Sequence, residues 1–180
     1  MNTKRIVITG GPGTGKTTII NELIKRGYNC LEEISRQITI EAQEKGIDQL
    51  FLTDPLLFSE MLLQGRTDQY LSVNGMSDKF VFLDRGIPDV LAYMDFKKTT
   101  YPQHFIDACM NHQYDHVFIL APWQEIYISD NERYETFEQA TQIHDHLLNT
   151  YKKYDYHLND VPFGSTESRT EFILNIVENL

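Results

Sequence analysis

Gly10-Gly11-Pro12-Gly13-Thr14-Gly15-Lys16-Thr17 satisfies the pattern G-x-x-x-x-G-K-[ST] at every specified position. These residue types suit one task. Glycines let a backbone turn until several N–H groups face a single point. A helix beginning near Gly15 would aim its positive dipole end at that same point. Lys16 is a mobile point charge able to reach β- and γ-phosphates, and the Thr17 hydroxyl is a suitable Mg²⁺ ligand. Gly10 to Thr18 therefore reads as a loop for a nucleoside triphosphate and its Mg²⁺. The apolar run Ile6-Val7-Ile8-Thr9 before the loop and the helical spacing from Thr17 to Lys25 after it supply the strand and helix the motif needs. A bare glycine-rich turn would lack that context.

Two further groups carry chemistry. In Phe80-Val81-Phe82-Leu83-Asp84-Arg85-Gly86 an acid closes an apolar strand, the position at which open α/β sheets bind ligands. Asp84 could orient the magnesium shell or accept a proton from a substrate hydroxyl. Arg85 could clamp substrate or a moving phosphoryl group, or the two could form a local ion pair only. Glu32, Glu33 and Arg36 form the second group. Adjacent acids raise each other's pKa, which suits a general base. Equally, they could be solvated glutamates at a helix start. Arg133 lies in a polar, irregular stretch, residues 121–135, which reads as a candidate lid. It could close onto phosphates or sit on the surface. The six histidines show no metal-site spacing, and Trp123 reads as packing against the lid or, alternatively, stacking on a ligand. Cys30 and Cys109 form no C-x-x-C pair and read as reduced thiols.

Elements able to hold these groups alternate along the chain. Strands are expected near 6–9, 28–31, 79–83, 117–120 and 156–161. Helices are expected at 17–25, 34–45, from Pro55 past Gly65, 87–98, 102–112, 136–154 and 166–179. Asp54-Pro55 is a helix start, Gly27 a helix stop, and Thr136 with Gln139 a capping box. Such alternation implies a parallel sheet with helices on both faces, and 180 residues suit one domain. With 16 basic and 26 acidic residues the net charge is −10, which disfavours nucleic acid and anionic membranes as partners. No apolar run approaches the roughly 20 residues that span a bilayer. A cytoplasmic protein is expected, of open oligomeric state.

Together these residues resemble the P-loop kinase-like, AAA-type ATPases grouped with the ribosylnicotinamide kinase domain, and more distantly the deoxynucleoside and thymidylate kinases. The likeness rests on Gly10 to Thr18, Glu33-Ile34-Ser35-Arg36, and Phe82-Leu83-Asp84-Arg85-Gly86-Ile87-Pro88-Asp89. It extends to Ala121-Pro122-Trp123, Glu132-Arg133-Tyr134-Glu135, and Val161-Pro162 followed by Arg169. It implies an α/β three-layer sandwich whose five-stranded parallel sheet runs in the order 2-3-1-4-5. It also implies that Glu33 and Asp84 face the acceptor, that Arg85 and Arg133 meet phosphate, and that residues 162–165 border the base. The chain departs from the family in having Ile34 where a proline often follows the glutamate. No acid stands after the fourth strand, at Ala121-Pro122, to activate water.

Two functions fit. One is an ATP- and Mg²⁺-dependent kinase acting on an unidentified nucleoside-like hydroxyl compound. Lys16, Asp84, Arg85, Glu33 and Arg133 would be its catalytic set, Glu33, Arg36 and Asp84 its acceptor contacts, and Thr17 and Asp84 its metal ligands. The other is a regulatory switch or ATPase that binds ATP or GTP without such an acceptor.

Overall fold

The computed structural model describes residues 3–127 and 135–179. In chain order β1 (Lys4–Gly10) leads to α1 (Lys16–Lys25), β2 (Cys30–Leu31), α2 (Ser35–Glu44), α3 (Leu50–Thr53) and α4 (Pro55–Ser72). A short 3-10 turn, Val73–Gly75, precedes β3 (Phe80–Asp84), α5 (Ile87–Phe96), α6 (Gln103–Asn111) and β4 (His116–Leu120). Then come α7 (Phe137–Lys153), β5 (Leu158–Val161) and α8 (Thr166–Glu178). The five strands form one sheet in the order β2-β3-β1-β4-β5, with every pairing parallel. The sheet order is the one the resemblance implied. Among the described residues no helix is long and apolar enough to cross a membrane.

Side chains alternate across a strand, and the central strands use the alternation to feed two cores. Ile6, Ile8, Phe80, Phe82, Phe118 and Leu120 face one side, where they meet Ile19 and Leu23 of α1 and Ile173 and Val177 of α8. Val7, Leu83, Val117 and Ile119 face the other, against Val90 and Leu91 of α5 and Ile143 and Leu147 of α7. Burial on both faces explains why β1, β3 and β4 read as continuous apolar runs. It also fixes register: Ile8 stands opposite Asp84 and Gly10 opposite Leu120. The end of β3 thus lies beside the start of the glycine loop.

Several expected boundaries move. β2 is two residues long because only Cys30 and Leu31 pair with β3, and β5 begins at Leu158, not 156. α3 was not anticipated; its four residues carry too little periodicity to show. The caps behave as their chemistry predicts. Asp54 accepts from Leu57 N at 3.0 Å. Thr136 and Gln139 exchange both bonds of a capping box. Gly27 takes the left-handed conformation just past α1. Gly65 stays inside α4, where a Cβ would lie against Ile34 Cδ1. The isoleucine that departs from the family pattern therefore packs into space a glycine leaves open.

One buried carboxylate ties the first turn of α5 to the sheet. Asp89 is fully buried. It accepts from Thr9 Oγ1 and Tyr151 Oη at 2.5 Å each, from Gly86 N at 2.9 Å, and from Arg85 Nη1 at 3.3 Å. A buried charge is tolerable when so fully partnered. Asp89→Ala strands these donors and is expected to cost about 3–5 kcal/mol, read as a lower urea midpoint. A loss under about 1 kcal/mol, the scale of an ordinary surface change, would show that the network contributes little.

Candidate functional site

The glycine loop turns through left-handed residues at Gly13 (φ 72°) and Gly15 (φ 77°). Gly15 caps α1 without a side chain, so the backbone N–H groups of its first turn have no side-chain acceptor from the cap. That arrangement favours an anion. Thr14 Oγ1 closes the loop onto Gly11 O at 3.0 Å, and Thr18 Oγ1 bonds Gly15 O at 2.7 Å. Thr17 is exposed on the first turn of α1.

Lys16 turns inward, and its Nζ forms an ion pair with Asp84 Oδ1 at the end of β3. Both residues are buried. Burial lowers the Lys16 pKa, as does the charge of Arg85, while Asp84 and Glu33 oppose the fall. Arg85 adopts a left-handed φ of 77°, and its N–H still donates to Ile8 O at 3.0 Å. Its Nε pairs with Glu33 Oε2, and its guanidinium lies 5.3 Å from the Tyr93 ring centroid.

Glu33 follows β2 and is held from several sides. Its Oε1 accepts from Ile34 N at 3.1 Å, Ser35 N at 3.2 Å and Arg66 Nη2 at 3.2 Å. Burial pushes this carboxyl up, but Arg66, Arg85 and Lys16 outweigh it and hold the pKa at about 2. This corrects the idea of two glutamates raising each other. Two arginines pair with Glu33, and Glu32 is exposed, with its backbone oxygen bonded by Gln69 Nε2 at 2.8 Å. Arg36, also exposed, shares with Glu32 and Glu33 the wall of an open depression of about 520 Å³.

The low Glu33 pKa has a consequence for stability. A depressed carboxyl stabilises fully above its unfolded value and loses that contribution as pH falls through the folded one. The window therefore runs from the ordinary 4.5 down to about 2, and the contribution is on the order of 3 kcal/mol. Between pH 5 and 2 the melting temperature of Glu33→Gln is expected to fall less steeply than that of the wild type. Parallel curves would show that the arginines do not hold the carboxyl down.

Lys16, Asp84, Arg85 and Glu33 thus form one linked cluster at the carboxyl ends of β1, β3 and β2. Thr17 and Asp84 carry oxygen donors of the kind Mg²⁺ takes, an ion that uses one or two protein oxygens and fills its shell with water and phosphate. Among the described residues no group of three or more His, Cys, Asp or Glu could hold a metal by itself. Arg133 and most of the polar part of the candidate lid lie outside the described residues. Trp123 packs as expected, its ring stacked on Phe163 at 5.0 Å.

Two residues of the site carry no motif in the sequence. Arg66, buried on α4, looked like one more helix residue; only a charge on an otherwise apolar face, beside Leu62 and Leu63, marked it. Tyr127 lies with its ring against Gly13, where any Cβ would collide with it, and its hydroxyl bonds Glu135 O.

The family model described as AAA domain matches residues 5–169. No curated protein matches the chain. Among solved structures, deoxyadenosine kinase from M. mycoides with products dCMP and a flexible dCDP bound superposes with a TM-score of 0.73 at 19% identity, covering 98% of this chain and 100% of that one. The NadR protein in complex with NR gives 0.74 at 17% identity, covering 99% of this chain but 50% of its own. Thymidylate kinase from Candida albicans gives 0.69 at 18% identity, covering 99% and 92%. At these identities the shared property is the fold. With a matching family model over most of its length and a sheet in the order 2-3-1-4-5, the chain belongs to the AAA domain family and has the fold of the P-loop kinases.

Proposed function

We propose that the protein is an ATP- and Mg²⁺-dependent small-molecule kinase that transfers the γ-phosphoryl group to a hydroxyl of a nucleoside-like acceptor. The observation that carries this reading is the Lys16–Asp84–Arg85–Glu33 cluster beside the glycine loop. It joins a triphosphate cradle to carboxylates able to meet a second substrate. The superposed kinases support it, among them structures with dCTP, with NR, and with NAD and AMP-PNP bound.

In this reading the loop N–H groups and Lys16 bind the phosphates, and Lys16 leaves Asp84 to do so. Thr17 and Asp84 would hold Mg²⁺, which would supply positive charge against the phosphates. The acceptor occupies the depression beside Glu33 and Arg36, with its hydroxyl directed at Asp84. Glu33, with a pKa of about 2, has little affinity for a proton. It holds Arg85 and accepts a hydrogen bond, which leaves Asp84 to take the hydroxyl proton. Arg85 and Arg133 stabilise the moving phosphoryl group. Catalysis of this kind is chiefly positioning and electrostatics.

The test is ADP release from ATP and Mg²⁺ with a panel of nucleosides, nucleotides and nicotinamide riboside. One acceptor should raise the rate at least about a hundredfold, an ordinary general-base contribution. A flat panel with the triphosphate still bound would replace the kinase by a nucleotide-dependent switch.

A further inference from the structure

Arg169, in the first turns of α8, is a buried cation that the proposed chemistry leaves unused. It is 2% exposed. Its Nη1 donates to Thr14 O in the glycine loop at 2.9 Å. Its Nε and Nη2 are buried without a hydrogen-bond partner. Among the described residues no carboxylate forms an ion pair with it, and burial pushes its pKa down. A guanidinium buried with two nitrogens unsatisfied is costly. Tying down the Thr14 carbonyl does not explain that cost, because a neutral amide could make the same bond.

Its position suggests what the free edge is for. A Cβ on Gly15 would lie 2.8 Å from Arg169 Nη1 and 3.6 Å from Thr18 Oγ1. The guanidinium therefore sits beside the start of α1. The Trp123 ring, 5.7 Å from Cζ, is itself stacked on Phe163. The guanidinium is thus near both the glycine loop and an aromatic pair.

We propose that Arg169 is a nucleotide-binding residue, whose Nε–Nη2 edge takes phosphate oxygens that ATP and ADP share. The inference rests on the nucleotide-binding reading above. A planar fork of N–H groups suits a phosphate oxygen pair, and the bound anion supplies the counter-charge the site lacks. Because both nitrogens are buried, a ligand reaches the edge only if neighbouring side chains shift.

The test joins calorimetry to spectroscopy. ATP and ADP are titrated with Mg²⁺ into the wild type, Arg169→Met and Arg169→Lys. The methionine variant should lose affinity for both nucleotides by a similar factor, about tenfold to a hundredfold, the worth of a charge-assisted hydrogen bond. The lysine variant should recover part of it. In ¹⁵N-edited spectra of the wild type, the Arg169 Nε–H resonance is identified by its absence from the lysine variant. It should move when ATP saturates the protein. A resonance that stays in place while ATP binds overturns the assignment, as does an Arg169→Met affinity within threefold of the wild type. Should the methionine variant fail to fold, the wild-type spectrum decides alone. If the wild type binds neither nucleotide, the nucleotide-binding reading falls and this inference falls with it.

Discussion

Asp84→Asn is expected to slow phosphoryl transfer about a hundredfold to ten-thousandfold while the sheet folds as before. Asparagine has the shape of aspartate and keeps an oxygen for Lys16 Nζ to donate to. What it lacks is the charge that would order Mg²⁺ and the carboxylate that would accept a hydroxyl proton in the proposed reaction. The same change has a second readout. Burial and the Arg85 charge lower the Lys16 pKa, and Asp84 is the largest influence raising it. Without Asp84, chiefly Glu33 opposes the fall. Lys16 then loses its proton at a lower pH, so triphosphate affinity should weaken at a lower pH than in the wild type as pH is raised. Steady-state turnover at saturating ATP, and calorimetric affinity across pH, check the two halves. Turnover within tenfold of the wild type would remove Asp84 from the chemistry.

The parts of this molecule legible in its sequence are those whose physics is local. The glycine loop reads directly, because the glycines that allow positive φ and the lysine that follows them lie within eight consecutive residues. The strands β1, β3 and β4 read as apolar runs because each is buried on both faces. The Asp54 and Thr136 caps read from residues three apart. What escapes is set by distance along the chain. Arg66 gains meaning only when α4 brings it to Glu33, 33 residues away in sequence. Glu33 itself shows how a local rule fails. Beside Glu32 it appears destined for a raised pKa, yet Arg66 and Arg85 reverse the sign. Asp89 stood inside the recognised Asp-Arg-Gly-Ile-Pro-Asp stretch with no assigned task, since its partners Thr9 and Tyr151 come from β1 and α7.

Lys16→Ala is expected to abolish tight triphosphate binding, with affinity falling at least about a hundredfold. Hydrogen bonds to charged groups contribute about 1.5–3 kcal/mol each, and Nζ can reach oxygens of two phosphates. A second penalty follows from the geometry of the cluster. With Nζ gone, the buried Asp84 carboxylate loses its ion-pair partner, and its uncompensated charge faces the incoming anion. The two causes separate in a double-mutant cycle. If Asp84 repels the phosphates once Lys16 is absent, Lys16→Ala/Asp84→Asn should bind ATP more tightly than Lys16→Ala alone, reversing the usual accumulation of losses. Calorimetric titration of the four proteins at one ionic strength measures the coupling. Unchanged affinity in Lys16→Ala would defeat the phosphate-loop assignment. A double variant no better than the single one would show that Asp84 meets the phosphates only through the metal.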